Sequence, residues 1–379
     1  MIPFNRPEVT DLELDHVREA MTSGHTSTGG PFSDRAASLL QQATGAQGVL
    51  LTTSCTDALE MVSLMLDLQP GDTVVVPSFT FTSTALAFAR QGARILFCDI
   101  EPETLGMDPR HLAELLDDSV RAVVLVHYAG VASDVEGVRA VLAERPDVTL
   151  VEDAAHGLYG AWRGAPLGSL GRFGTLSFHD TKNFVCGEGG ALLLNDERDV
   201  ARARVLWDKG TDRQAFLQGE VDKYSWRDTG SSFGLSEVLA AFLVAQLERA
   251  ESIQARRRAV FEAYVDALAS PAAGLGIRLP VVPDGADPAW HLFHVLLPDA
   301  AMRAPVMARM REAGVATASH YVPLHSSDGG RRFAAGSTQC PVTTDVSGRL
   351  LRLPFFNTLA EADVAHVAES LVAAVRAAS

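Results

Sequence analysis

The sequence predicts an α/β protein: a mostly parallel central sheet flanked by helices, followed by a smaller C-terminal α+β domain. Strand-like and helix-like segments alternate from about residue 45 to residue 200. Several of the strand-like segments are near-continuous apolar runs, as expected for strands covered on both faces. A chain of 379 residues, 47% apolar and 21% charged, is long enough for one large domain with a smaller partner and has the balance of a compact protein.

In chain order, "GVLLTT" (48–53), "TVVVPSF" (73–79), "RILFCDI" (94–100), "RAVVLVHY" (121–128), "VTLVEDAA" (148–155), "TLSFHD" (175–180) and "GALLLND" (190–196) read as strands. Helical periodicity falls between them, as in "TDALEMVSLMLDL" (56–68) and "DPRHLAELLDD" (108–118). Residues 235–267 read as one long helix, with Leu235, Val238, Leu239, Phe242 and Gln246 at helical spacing. That length suits a helix bridging two domains. Residues 270–290 are rich in Pro and Gly and read as loop. The tail offers a strand ("HLFHVLL"), a helix ("APVMARMREAG"), a strand ("VATASHYV", 315–322) and a closing amphipathic helix. The expected boundary lies near 248: a large domain over 1–248 and a small one over 249–379.

The bulk numbers exclude several function classes. A formal net charge of −15 repels phosphate backbones, so no nucleic-acid role is expected. A small anion is still admissible, because local backbone N–H groups bind phosphate inside an acidic protein. The four cysteines contain no C-x-x-C pair, so neither a metal framework nor a disulfide scaffold is expected. Reduced thiols fit a cytoplasmic protein. The N-terminus carries acidic residues where a signal peptide needs an apolar core, and no apolar run reaches the ~18 residues of a membrane span.

Ligands of parallel sheets bind beyond the carboxyl ends of strands. Four features fall there. Ser54, Cys55 and Thr56 follow the first strand and open a helix, giving free N–H groups and a hydroxyl for a phosphate, or a plain helix cap. "PSFTFTST" (77–84) follows the second strand. Asp153 ends an apolar strand, either as half of an internal pair with an arginine, as a cap for the following "AAHG", or as partner to a protonated ring nitrogen. Lys182 follows "TLSFHD". It is one of only three lysines, with Lys209 and Lys223, among 32 Lys and Arg. Only a primary amine can lose its proton and form an imine with an aldehyde, which arginine cannot do. Together the four features describe a cofactor with an aldehyde, a phosphate, an aromatic ring and a basic ring nitrogen. Pyridoxal 5′-phosphate (PLP) has all four. A dinucleotide-dependent oxidoreductase would need a G-x-G-x-x-G turn, which "TTSCTDALE" does not supply.

The ordered set "IPFNRPEV", "PGDTVVVPSFTFTSTALAF", "VEDAAHG", "GTLSFHDTKNFVCGEGGALLLND", "LAAFLVAQLE", "HYVPLH" and "LRLPFFNTL" resembles the nucleotide-sugar aminotransferases of the DegT/StrS type, a branch of the fold-type I PLP enzymes. "HYAGVA" (127–132), "KGTDR" (209–213), "VDKYSWRDTGSS" (221–232) and "RLLRLPFFN" (349–357) are similar to the dTDP-4-amino-4,6-dideoxygalactose transaminases within it.

The resemblance implies a role for each matching position. Lys182 corresponds to the Schiff-base lysine and Asp153 to the acid on the pyridine nitrogen. His156 stands beside the cofactor's phenolic oxygen, and Phe81 stacks on the ring. Cys55, Thr56 and Ser177 contact the phosphate. Ser232 replaces an Asn that, in many members, reaches the phosphate of the neighbouring subunit's cofactor; Ser is shorter, so that contact is either absent or water-mediated, and the 4-amino-4,6-dideoxygalactose transaminases also have Ser here. Lys223, Tyr224, His320, Tyr321 and His325 are candidates for holding sugar or diphosphate, or for ordering loops. His127 reads as a satisfied structural histidine.

The implied reaction moves an amino group from glutamate, through PLP and its pyridoxamine form, to C4 of a nucleotide-linked 4-keto sugar. A homodimer with sites at the subunit interface is implied as well. The related dehydratases carry His in place of the lysine, so Lys182 favours transamination. The alternative from another class is a catalytically silent scaffold or regulator.

Overall fold

The computed structural model describes residues 1–217, 219–337 and 339–378. Its central sheet holds seven strands: β1 (Gly48–Thr52), β2 (Thr73–Pro77), β3 (Arg94–Cys98), β4 (Val120–Val126), β5 (Thr149–Asp153), β6 (Phe173–Ser177) and β7 (Gly190–Leu194). The spatial order is β1-β7-β6-β5-β4-β2-β3. Pairs within β6-β5-β4-β2-β3 are parallel, and β7 runs antiparallel to both of its neighbours. β1 therefore points the same way as β6. The strand ends singled out in the sequence all open on one edge of the sheet.

Both faces are covered, which explains the continuous apolar runs. On one face, Val74, Val76, Val124, Val151 and Phe173 pack with Leu59 and Val62 of the helix Cys55–Met65. On the other, Val75, Val123 and Leu125 pack with Leu112 and Val138 of two short helices. Leu176 and Leu193 meet Phe32, Leu40 and Val244. A separate core gathers Tyr264, Leu268, Phe293, Val295, Met310, Leu351, Val367 and Leu371. It joins a two-stranded antiparallel sheet, β8 (His294–Leu296) and β9 (Leu350–Arg352), to the helices Ala250–Leu275, Arg303–Glu312 and Glu361–Ala378.

Three expectations are corrected. The segment 270–290 is not loop from its start, since residues 270–275 complete the helix Ala250–Leu275, which ends at Gly276 in the left-handed region (φ 68°). The long helix is two helices, Glu237–Glu248 and Ala250–Leu275. Arg249 leaves helical geometry (φ −99°, ψ 14°), and its guanidinium is drawn aside by Glu13 at 2.5 Å and Glu8 at 3.5 Å. Apolar periodicity continues across that break, so the pattern conceals it. The segment 315–322 is not a strand. It makes only single bridges, Val315 to Ile2 and Ala318 to Arg352, and the partner of β8 is β9.

Candidate active site

The pleat of β5 decides which residues reach the cavity. Successive side chains alternate between faces. Leu150 and Glu152 point to the face carrying Leu112 and Val138, while Val151 and Asp153 point toward the helix Cys55–Met65. Asp153 is paired with Thr175 across β5 and β6, so Ser177, two residues on, lies on the same side. Ser54 caps the helix, its Oγ accepting from the Asp57 N–H at 3.1 Å. Gly190 lets β7 press against this turn, since a β-carbon there would overlap the Ser54 carbonyl carbon and the Cys55 nitrogen. The first N–H groups of an 11-residue helix therefore open into the crevice.

These elements enclose a cavity of about 450 Å³. Lys182, Asp153, His156, Ser177, Cys55, Thr56, Phe81, His320 and Tyr321 all line it. Phe81 stands at the rim, 61% exposed, free to cover a planar ligand. Asp153 is buried and has no cationic partner within 4.0 Å among the described residues, so the internal arginine pair is not its role. Its carboxylate accepts from Thr84 Oγ1 at 2.7 Å and from the Ala155 N–H at 3.2 Å, and Thr84 is held in turn by Thr80 at 2.8 Å. Two hydrogen bonds leave acceptor capacity facing the cavity.

Burial pushes the Lys182 ammonium down to about 8, against the pull of Cys55 and Asp153. A useful fraction of its amine is therefore free near neutral pH. His156 stacks on His291 at 4.0 Å, and its Nδ1 is buried without a hydrogen-bond partner. Burial, with the positive charge of Lys182 as the next cause, holds its imidazole well below the ordinary range and so neutral.

Four candidates lie elsewhere. Ser232 is exposed and bridges Asp208 outside the cavity. Lys223 and Tyr224 are exposed, and Tyr224 rests on Phe216 with ring centroids 5.7 Å apart. His325 bonds through Nδ1 to Ser78 Oγ at 2.6 Å, tying its loop to the end of β2. His127 is the satisfied histidine expected. Its Nδ1 accepts from the Ser133 N–H at 3.2 Å, so Nε2 carries the proton and donates to Glu152 at 2.8 Å. The structure adds residues that carried no role in the sequence: Ser83, bonded to Thr56 at 2.7 Å, together with Thr84, His291 and Arg352. Arg352 lies inside the quoted "RLLRLPFFN", but nothing in that stretch marks it off from the other arginines.

The donor set fits PLP. A helix N-terminus with hydroxyls suits the phosphate, an unpaired buried carboxylate suits a protonated ring nitrogen, and an amine of lowered basicity suits the aldehyde. The unpartnered His156 Nδ1 is a fourth open position.

Residues 7–372 match the DegT/DnrJ/EryC1/StrS aminotransferase family. The chain belongs to this family. It is a PLP-dependent aminotransferase of fold type I. The chain is similar to the aminotransferase TlmJ from Streptoalloteichus hindustanus, with 30% identity over 100% of this chain and 99% of that one, at a TM-score of 0.91. It is also similar to the sugar aminotransferase CalS13 from Micromonospora echinospora, at 26% identity, 98% and 100% coverage and a TM-score of 0.88. Spr1654 from Streptococcus pneumoniae in its PMP form, at 24% identity, full coverage of both chains and a TM-score of 0.92, shares the fold.

Proposed function

We propose that this aminotransferase moves an amino group from glutamate to C4 of a 4-keto sugar carried by a nucleoside diphosphate, with dTDP-4-keto-6-deoxyglucose or the 4-keto-pentose equivalent as acceptor. The observation that carries the reading is a lysine amine of lowered basicity sharing one cavity with a buried carboxylate that has no cation of its own. Similarity to CalS13 supports a sugar acceptor, and the likeness of "HYAGVA" and "VDKYSWRDTGSS" to the 4-aminating subgroup supports C4.

PLP supplies an electrophilic aldehyde and an electron sink. The first turn of the helix Cys55–Met65, with Thr56 and Ser177, holds the phosphate. Asp153 keeps a proton on the ring nitrogen, and the bonds from Thr84 and Ala155 fix the angle of its carboxylate. His156, kept neutral by burial and with its Nδ1 unpartnered, would stand by the cofactor's phenolic oxygen. Phe81 covers the ring from the rim. Lys182 is the catalytic residue: its free amine takes the proton from the donor's Cα and later delivers one to sugar C4. Its burial serves that task, because a fully basic lysine would stay protonated near pH 7.

Residues 1–248 form the cofactor-binding domain in this reading, and 249–379 form the small domain. The protein works in this reading as a cytoplasmic homodimer with its sites at the subunit interface, where Lys223 and Tyr224 hold sugar or diphosphate and Ser232 faces the second copy's cofactor phosphate through water. Among the described residues no helix is long and apolar enough to cross a membrane.

The test is product analysis. Purified protein receives PLP, glutamate and dTDP-4-keto-6-deoxyglucose, and NMR reads the configuration at C4. An amino sugar with nitrogen on C4 is expected. Absence of any amino sugar with several 4-keto nucleotides overturns the reading.

A further inference from the structure

His156 stands by the cofactor in the reading above, yet no hydrogen bond from the protein holds its ring. Its Nδ1 is buried and unpartnered, and among the described residues none bonds to its Nε2. Its ring is placed by two other rings instead. It stacks on His291, with centroids 4.0 Å and planes 22° apart, and it meets Tyr128 edge-on at 5.9 Å. The plane in which its nitrogens point is therefore set by the ring it lies on.

That ring is fixed from several sides. Asn183 gives its amide N–H to the Ala289 carbonyl, so Asn183 Oδ1 faces His291 and accepts from the Nδ1–H at 2.8 Å. His291 is thus the Nδ1–H tautomer. Its backbone N–H bonds to the Ala129 carbonyl at 3.2 Å, and its carbonyl accepts from Arg257 Nη2 at 2.5 Å. Arg257 is held in turn by the Trp290 carbonyl at 2.8 Å and Asn357 at 2.9 Å.

The neighbouring backbone is strained to make this fit. Trp290 lies in the left-handed region at φ 51°, and Ala129, whose carbonyl receives His291, at φ 58°. A bulky residue there is an outlier, and such strain persists only where the surroundings over-determine it. Asn183 also follows Lys182 directly in the chain, so the residue that pins His291 is joined to the catalytic lysine.

Both stacked rings are neutral. Burial, with His156 as the next cause, holds the His291 imidazole well below the ordinary range, and Lys182, Arg257 and Arg352 push the same way. Lys182, His320 and Arg352 do the same to His156, after burial. Asp153 is the carboxylate that shares the cavity. Neutral rings stack without repelling each other, and a neutral imidazole still has one N–H to give.

We propose that His291, pinned by Asn183, is a positioning residue: it is the plate that aims the His156 N–H at the cofactor's phenolic oxygen. The proposal rests on the place given to His156 above. A hydrogen bond to that oxygen draws electron density from it and makes the nitrogen that the cofactor shares with Lys182 less basic. A tilted His156 loses this effect.

The test is a pH titration of cofactor absorbance in resting holoenzyme, without substrate. His291→Asn keeps an amide N–H for Asn183 and removes the plate. It should raise the midpoint by about one pH unit. His291→Phe keeps the plate without the N–H and should stay within about 0.3 units of wild type. His156→Leu should raise the midpoint at least as far as His291→Asn. Adding His291→Asn to His156→Leu should give no further rise, because both act through one hydrogen bond. If His291→Asn yields no folded holoenzyme, Asn183→Ser decides. It keeps the His291 ring but frees it to turn, and it should raise the midpoint by about half a unit.

An unmoved midpoint in the deciding variant overturns the proposal. So does a rise that persists in the His156→Leu background, or His291→Phe behaving like His291→Asn. If His156→Leu alone leaves the midpoint unchanged, the place given to His156 fails too, which is a separate result.

Discussion

Glu152 and Asp153 end the same strand one residue apart, and the pleat sends them to opposite faces of the sheet. On one face, Glu152 is fully buried and fully used. It accepts from the N–H groups of Gly168, Leu170 and Gly171 and pairs with His127 at 2.8 Å. On the other face, Asp153 accepts two hydrogen bonds and turns its remaining lone pairs to a cavity. The same contrast separates His127 from His156. A saturated buried polar group stabilises the fold. An unsaturated one beside a cavity is held ready for a ligand.

The largest effect should come from the open face. Lys182→Met removes the proton carrier and the amine that captures the aldehyde. Transamination should fall by at least about 10⁴-fold, while the apoprotein's Tm near neutral pH should rise, because a buried ammonium is removed. Single-turnover assays and calorimetry on the same preparation check both halves. Retained activity would end the comparison, because the site would then not depend on its most exceptional lysine.

Next comes the closed face. Glu152→Ala strands three backbone N–H groups and His127 in the interior. Unfolding stability should drop by about 3–5 kcal/mol, read by urea denaturation. The kcat per folded holoenzyme should change far less than for Lys182→Met. Asp153→Asn inverts that pattern. It should lower turnover by about 100-fold or more through loss of the ring-nitrogen contact. Its cost in stability should stay small, because the amide oxygen still accepts from the Ala155 N–H while the amide nitrogen donates to the Thr84 hydroxyl, which turns to donate to Thr80.

Acidity sharpens the contrast further. The Lys182 ammonium is lowered from 10.5 in the unfolded chain to about 8 in the fold. Below pH 8 both states carry the charge, and the folded apoprotein bears the full cost of burying it. Between about pH 8 and 10.5 the unfolded chain binds more protons, so apoprotein stability rises with pH across that window. Lys182→Met should lack this rise. Reconstitution with PLP should likewise quicken as pH rises through about 8, as the free amine accumulates. Stopped-flow absorbance reads that rate, and a flat profile would mean that burial does not tune this amine.

How far the site was legible follows from the kind of signal each residue gives. Ser54, Asp153 and Lys182 were legible because parallel strands place their carboxyl ends on one edge, and because lysine is rare in this chain. Phe81 and His156 came only from resemblance, since a lone aromatic or histidine after a strand has many uses. His291 could not be singled out. It is one of 11 histidines, and its place against His156 and Asn183 appears only when distant parts of the chain meet in space. His320 and His325 share one motif, yet one lines the cavity and the other clips a loop to Ser78. Motif membership does not distinguish them, and the direction of each side chain does. The helix break at Arg249 was hidden for a related reason: apolar periodicity runs through it, and the carboxylates that Arg249 pairs with there, Glu8 and Glu13, lie more than 230 residues away in sequence.

The smallest effect concerns residues that neither face explains. Lys223, Tyr224 and Ser232 lie outside the cavity of their own chain. They matter to chemistry only if a second copy brings them to its own site. Lys223→Ala should then raise the nucleotide-sugar KM about threefold, the worth of one rim charge, and leave glutamate titration untouched. The rise should shrink at high salt, because an exposed charge is screened. Sedimentation of the wild-type protein should show a dimer at the assay concentration. A monomer there, or a Lys223→Ala effect on the glutamate half, would remove the second copy from the mechanism and confine the chemistry to the residues that already share one cavity.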